Sequence, residues 1–286
     1  MAASPTIAFD VRGQKGAHPA LGLGTATLFG AECTAAVRAA IRAGYRLVDT
    51  ALLYNNQEAV GLAIREAIAA GDVTREELFV TSKCAFYPAA ADGANTTVHI
   101  RFHANNKKGE AETAAAVDEC LALLGLEYVD LMLIHNPCTG IADYQASSSP
   151  HCFELAKALG PNGMTEAERA LVMQHRLAAA NAVYDEPAAE AARAASWRAL
   201  EAARAAGKCK FIGVSNYSPH LLRAMDKYAT VQPACNQLEL HPRFSSPALR
   251  AMVKGELKLA LTAYGTGASS RAVARGRARL CGRDRA

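Results

Sequence analysis

The stretch "YRLVDTALLYNNQEAVGLAIREAIAAG" (45–71) decides the fold of this chain. It opens on a short apolar run that ends in Asp49 and Thr50, and it continues as a helical stretch, "QEAVGLAIREAIAAG" (57–71). A strand that ends in polar residues and hands over to a helix is the repeating unit of a parallel sheet. The same hand-over recurs along the chain. "LGLGT" (21–25) supplies a first strand and "ELFVTSK" (77–83) a third. "YVDLMLIH" (128–135) is nearly all apolar, as a strand buried on both faces must be. "KFIGVSN" (210–216) precedes "SPHLLRAMDKYA", "PACNQLEL" (233–240) precedes "SPALRAMVKG", and "LKLALTAYG" (257–265) is a seventh run.

Seven strands alternating with helices fit either a doubly wound sheet or a (β/α)₈ TIM barrel. The polar residues choose between them. Asp49, Lys83, His135, Ser215, Asn216, Gln237 and Tyr264 lie at the carboxyl ends of different runs. A barrel builds its site from nearly every strand end, whereas a doubly wound sheet concentrates it at one switch point. No G-x-G-x-x-G follows the first strand, which also counts against a dinucleotide-binding Rossmann unit. The expectation is one barrel domain over 1–270, incomplete at its C-terminus with seven readable strands. Polar insertions near 84–110 and 136–195 would decorate it, and 271–286 would form a disordered Arg-rich tail.

Composition narrows the partners. Hydrophobic residues make up 51% of the 286, enough for a sizeable core. The formal net charge is +4, but residues 271–286, with six Arg and one Asp, contribute +5 and leave the body at −1. The basic character belongs to the tail, which argues against a nucleic-acid face. No run approaches the ~20 apolar residues of a membrane span, and the N-terminus lacks a signal-peptide pattern. The eight cysteines form no CxxC pair and read as reduced core fillers in a cytoplasmic protein. His99 and His103 lie four apart in a polar loop without further ligands, so no metal site is expected.

Taken singly, Asp49 could cap a helix, Lys83 could be a solvated strand end and His135 a core histidine. Together with Tyr54, at one end of a barrel, they form a proton-donating set. A free tyrosine, with a pKa near ~10, is a poor acid at neutral pH. A nearby lysine ammonium stabilises the phenolate and lowers that value, and a carboxylate such as Asp49 would keep the lysine charged. A histidine beside the tyrosine can orient a substrate oxygen.

These segments, with "SWRALEAARAAGKCKFIGVSNYS" and "LGLEYVDLMLIHNP", occur in an order that resembles the aldo-keto reductases, which are (β/α)₈ barrels. The resemblance runs from about residue 5 to 265. It implies an oxidoreductase that reduces an aldehyde or ketone with NADPH. Asp49, Tyr54, Lys83 and His135 match the catalytic tetrad, with Tyr54 the proton donor. Ser215, Asn216 and Gln237 match residues that bind the nicotinamide carboxamide, and Tyr264 the ring that stacks on it. Gly24 and Thr25 match the turn near the cofactor, and Thr6 to Phe9 the hairpin that closes the barrel bottom. Asn136 stands where the family usually has an aromatic residue lining the substrate pocket. After "LTAYGTG" the family pattern of an eighth strand and a 2′-phosphate grip finds no match. A catalytically impaired relative or binding subunit is therefore the alternative to an active small-molecule carbonyl reductase.

Overall fold

The computed structural model describes residues 5–85, 108–137, 187–240 and 250–266, apart from 252 and 254. An antiparallel hairpin comes first, β1 (Thr6–Val11) and β2 (Gln14–Pro19). Seven parallel strands follow in strict chain order: β3 (Gly22–Gly24), β4 (Leu47–Asp49), β5 (Phe79–Cys84), β6 (Val129–Ile134), β7 (Cys209–Ser215), β8 (Cys235–Glu239) and β9 (Ala260–Tyr264). They form a nearly closed barrel. Each of the seven runs read from the sequence is a strand of it. Helices α1 (Gly30–Arg42), α2 (Gln57–Ala69), α3 (Glu110–Leu124), α4 (Pro187–Ala205) and α5 (Pro219–Ala224) connect successive strands on the outside. The expected insertions fall largely outside the described residues, as do His99, His103 and the stretch 267–286.

Strand periodicity sorts the side chains into two cores. Val48, Val80, Met132, Ile134, Ile212 and Val214 face the helices, in one cluster with Val60, Ile64, Val117 and Trp197. Leu47, Phe79, Leu131, Leu133, Cys235 and Ala260 face the barrel axis, in a second cluster with Phe9. This separation is the period-2 rule applied to a sheet curled into a barrel. It also aims the strand ends. Lys83 lies four residues after Phe79 and Ser215 four after Phe211, so both side chains fall on the axial face.

The hairpin plugs the amino end. Phe9 meets Phe211 edge-on at 4.9 Å, and Phe79 stacks on Phe211 at 6.4 Å. Gln14 from β2 exchanges two hydrogen bonds of 2.8 Å with the backbone of Ile212. Just outside, Asp130 accepts from the Val80 N–H at 2.9 Å and pairs with Arg75 and Lys210, which flank the Tyr128 ring. Those interactions serve stability, as expected for the amino end of a barrel. Five described cysteines, Cys33, Cys84, Cys120, Cys209 and Cys235, are buried and free. Burial pushes the Cys209 and Cys235 thiols up to about 12, which suits fillers rather than nucleophiles.

Helix α2 approaches α3 unusually closely at Gly61. A Cβ there would lie 2.0 Å from the Leu124 carbonyl oxygen, a backbone atom that also accepts from Arg65 at 2.6 Å. Gly61→Ala should therefore cost about 1–3 kcal/mol of stability. Leu62→Ala, at a neighbouring position 44% exposed, should stay within about 0.5 kcal/mol. Urea unfolding of the two variants checks this, and equal midpoints would contradict it.

Candidate active site

The polar strand ends meet at the carboxyl mouth of the barrel. Asp49 ends β4, and Lys83 is the penultimate residue of β5. The Lys83 ammonium donates to Asp49 Oδ1, to the Thr50 carbonyl at 3.0 Å and to the Tyr54 hydroxyl at 3.2 Å. Its side chain is 1% exposed. Tyr54 closes a single 3₁₀ turn, Leu52–Tyr54, that β4 leads into. Asn55 ends that turn at φ 52°, a left-handed conformation that Asn tolerates better than most residues. His135 follows β6 directly. Its ring meets the Tyr54 ring edge-on, with centroids 5.6 Å apart.

The hydrogen bonds continue around the mouth. Gln237 on β8 donates to Asp49 Oδ2 at 2.8 Å. Ser215 at the end of β7 donates to the Gln237 carbonyl at 2.8 Å. Asn216 donates to the His135 carbonyl at 2.9 Å and to Ser215 Oγ at 3.1 Å. Tyr264, at the end of β9, donates to Asn216 Oδ1 at 2.8 Å and is 40% exposed. Asn216 holds φ 64°, another non-glycine left-handed residue bordering the site. Such strain gathers where surrounding contacts over-determine the backbone. Thr25 is fully buried, and both its N–H and its hydroxyl donate to the Asp49 carbonyl, at 3.0 and 2.9 Å. Gly24 pairs in register with Asp49. Asn136, 5% exposed, stands beside His135. The structure thus brings every sequence-predicted site residue to one end of the barrel.

Electrostatics gives each group a state. Burial opposes the charge on Lys83, but Asp49 and Tyr54 together outweigh it and hold its pKa above the ordinary value. Burial, followed by the charges of Lys83 and Lys108, pushes His135 well below its usual value, so its imidazole is neutral at pH 7. Tyr54 differs from the expectation. Lys83 does pull its pKa down, yet burial of the phenolate is the larger effect and Asp49 adds to it, so the hydroxyl sits above its ordinary value. The phenol is therefore held protonated beside a charged ammonium, the state a proton donor starts from.

Three contributors were not legible in the sequence. The Thr50 carbonyl orients Lys83 through a backbone atom, which no side-chain pattern reports. Asn56 is buried. It accepts from Thr50 at 2.8 Å and donates to the carbonyls of Thr25 and Leu28, tying the first loop to the β4 end. Lys108 lies in a stretch that reads as a polar insertion. Among the described residues no group of three or more His, Cys, Asp or Glu could hold a metal ion, and no helix is long and apolar enough to cross a membrane.

Known proteins resemble this chain in sequence and in fold. D-galacturonate reductase of Hypocrea jecorina is 35% identical over 225 residues, covering 78% of this chain and 56% of that protein. Glyoxal reductase of Bacillus subtilis is 32% identical over 227 residues, covering 79% of this chain and 55% of the relative. The chain thus spans a little over half the length of these curated relatives. The crystal structure of a Bombyx mori aldo-keto reductase in complex with NADP superposes with a TM-score of 0.62 at 27% identity, covering 92% of this chain and 67% of that one. The model of the aldo/keto reductase family matches residues 20–277, and by that match and these relatives the chain belongs to the aldo/keto reductase family.

Proposed function

We propose that the protein reduces an aldehyde or ketone to an alcohol, with NADPH as reductant and Tyr54 as proton donor. The observation that carries this reading is the buried chain Asp49–Lys83–Tyr54 with His135 against the tyrosine ring. The residues at the mouth fit a nicotinamide. Ser215, Asn216 and Gln237 offer hydroxyl and amide groups, the donors and acceptors a carboxamide needs. Tyr264 presents an exposed ring at the adjoining strand end, anchored through its hydroxyl. These four residues, with Gly24 and Thr25 at the first turn, would hold that end of the cofactor. NADPH supplies hydride to the carbonyl carbon when bound. The carbonyl oxygen gains the Tyr54 proton, so C=O becomes CH–OH. Lys83 stabilises the tyrosinate left behind, Asp49 keeps Lys83 charged, and neutral His135 donates a hydrogen bond that orients the carbonyl. Asn136 would line the substrate pocket. The relatives' names point to oxygenated carbonyl compounds such as D-galacturonate and glyoxal as first substrates. Buried free cysteines suit the reducing cytoplasm.

The test is consumption of NADPH, followed by its absorbance, with glyoxal, D-galacturonate and D-xylose. One alcohol formed per NADPH is the expected stoichiometry. A folded protein that binds NADPH yet consumes none with any of the three would favour a non-catalytic relative.

A further inference from the structure

Asn56 stands at the N-cap of α2, a position that Asn often fills by capping the helix with its side chain. Here the side chain makes no cap bond. It is 3% exposed and turns instead towards the end of β4. Its Oδ1 accepts from the Thr50 hydroxyl at 2.8 Å. Its Nδ2 donates to the carbonyls of Thr25 and Leu28 at 2.7 and 2.9 Å. A carboxamide has two N–H donors, so both are spent. A favoured cap is given up for three bonds that converge on the residues around Asp49.

Two of those bonds reach the buried chain in one further step. Thr50 carries the carbonyl that accepts from the Lys83 ammonium at 3.0 Å. Its N–H is fixed on β5 by the Thr81 carbonyl at 2.9 Å. A β-branched side chain is stiff at χ1, so holding the Thr50 hydroxyl also holds the orientation of its backbone. Thr25, whose carbonyl Asn56 holds, grips the Asp49 carbonyl with its own N–H and hydroxyl. Tyr54 is separated from Asn56 only by Asn55, at φ 52°. A left-handed residue of this kind persists where its neighbours are pinned, and Asn56 is the pinned neighbour.

We infer that Asn56 is a positioning residue for proton donation, acting through Thr50 to hold the Lys83 ammonium against the Tyr54 hydroxyl. The inference rests on the carbonyl-reduction reading. A proton donor acts only in the right geometry, and a misplacement of about 1 Å can cost about 10²-fold in rate.

The test compares wild type, Asn56→Ala, Thr50→Val, Thr50→Ser and the double variant Asn56→Ala/Thr50→Val, as full chains with NADPH and glyoxal. Asn56→Ala should lower kcat about tenfold and leave KM for glyoxal within about twofold. Thr50→Val removes only the hydroxyl and should lose a similar factor. The double variant should lose no more than Asn56→Ala, because both changes break the same bond. Thr50→Ser keeps the hydroxyl and should stay within about twofold of wild type. The solvent deuterium isotope effect on kcat should rise in Asn56→Ala and Thr50→Val, since the slowed step moves a proton. A lower urea midpoint with unchanged kcat and isotope effect would overturn the proposal and leave Asn56 a purely structural amide. Losses that multiply in the double variant would overturn the route through Thr50. If Asn56→Ala fails to fold, Thr50→Val against Thr50→Ser decides by the same readouts. If the wild type consumes no NADPH with glyoxal, D-galacturonate or D-xylose, the carbonyl-reduction reading fails on its own. Crystal structures then decide the positioning. The Thr50 carbonyl should turn away from Lys83 in Thr50→Val and stay in Thr50→Ser, and an unmoved carbonyl in Thr50→Val refutes it.

Discussion

Tyr54→Phe lowers kcat for aldehyde reduction by about 10²–10⁴-fold while the protein stays folded and binds NADPH as before. Only the hydroxyl that Lys83 donates to at 3.2 Å is lost. Lys83 keeps Asp49 and the Thr50 carbonyl, so the buried ammonium remains satisfied. The ring keeps its edge-on contact with His135. Without a proton for the carbonyl oxygen, reduction would leave an alkoxide in a dry site, and the barrier rises. Stopped-flow or steady-state measurement of NADPH consumption reads this. Equal rates in the two proteins would remove Tyr54 from the chemistry.

Asp49→Ala should cost about 3–5 kcal/mol of stability at pH 7, the usual penalty for stripping one partner from a buried ion pair. Lys83 is 1% exposed and Asp49 13% exposed at the side chain. The change also orphans the Gln237 amide that donates to Asp49 Oδ2. The pH dependence has a defined sign. In the wild type Lys83 is raised above its ordinary 10.5, so its contribution is fully present below that value and fades only as pH rises through the folded value. In Asp49→Ala, burial dominates and depresses Lys83. The unfolded chain then binds the extra proton, and stability climbs as pH rises from 7 towards 10. Asp49→Asn, which keeps the shape and one acceptor, should lose less. Urea midpoints at pH 7 and 9.5 measure all three proteins, and a wild-type midpoint for Asp49→Ala would show that the pair adds nothing.

Much of this site could be read before any coordinates. Asp49, Lys83, His135, Ser215 and Gln237 announce themselves because an apolar strand that ends in an ionisable, hydroxyl or amide residue has few reasons to do so except at a mouth. The sense of the Tyr54 shift could not be read. It depends on how completely the phenol is buried, a tertiary quantity that outweighs the single lysine charge. Asn56 escaped because its partners, Thr25 and Leu28, are about thirty residues away, brought close only by the β3–β4 pairing. Lys108 escaped because the stretch 84–110 reads as a polar, Asn- and Gly-rich loop. Nothing local in it says that one lysine folds back onto the end of β5.

The sequence by itself determined the number and order of the strands, their parallel sense and the identity of the residues at their ends. Alternation and hand-over to helices are local properties, and chain order around a barrel follows from them. Only the tertiary structure decided which of those ends hydrogen-bond to one another, which protonation state each group holds, and that Asn56 ties the first loop to the end of β4. Those facts depend on burial and on distances between residues far apart in the chain, and both come into being only when the sheet curls around its axis.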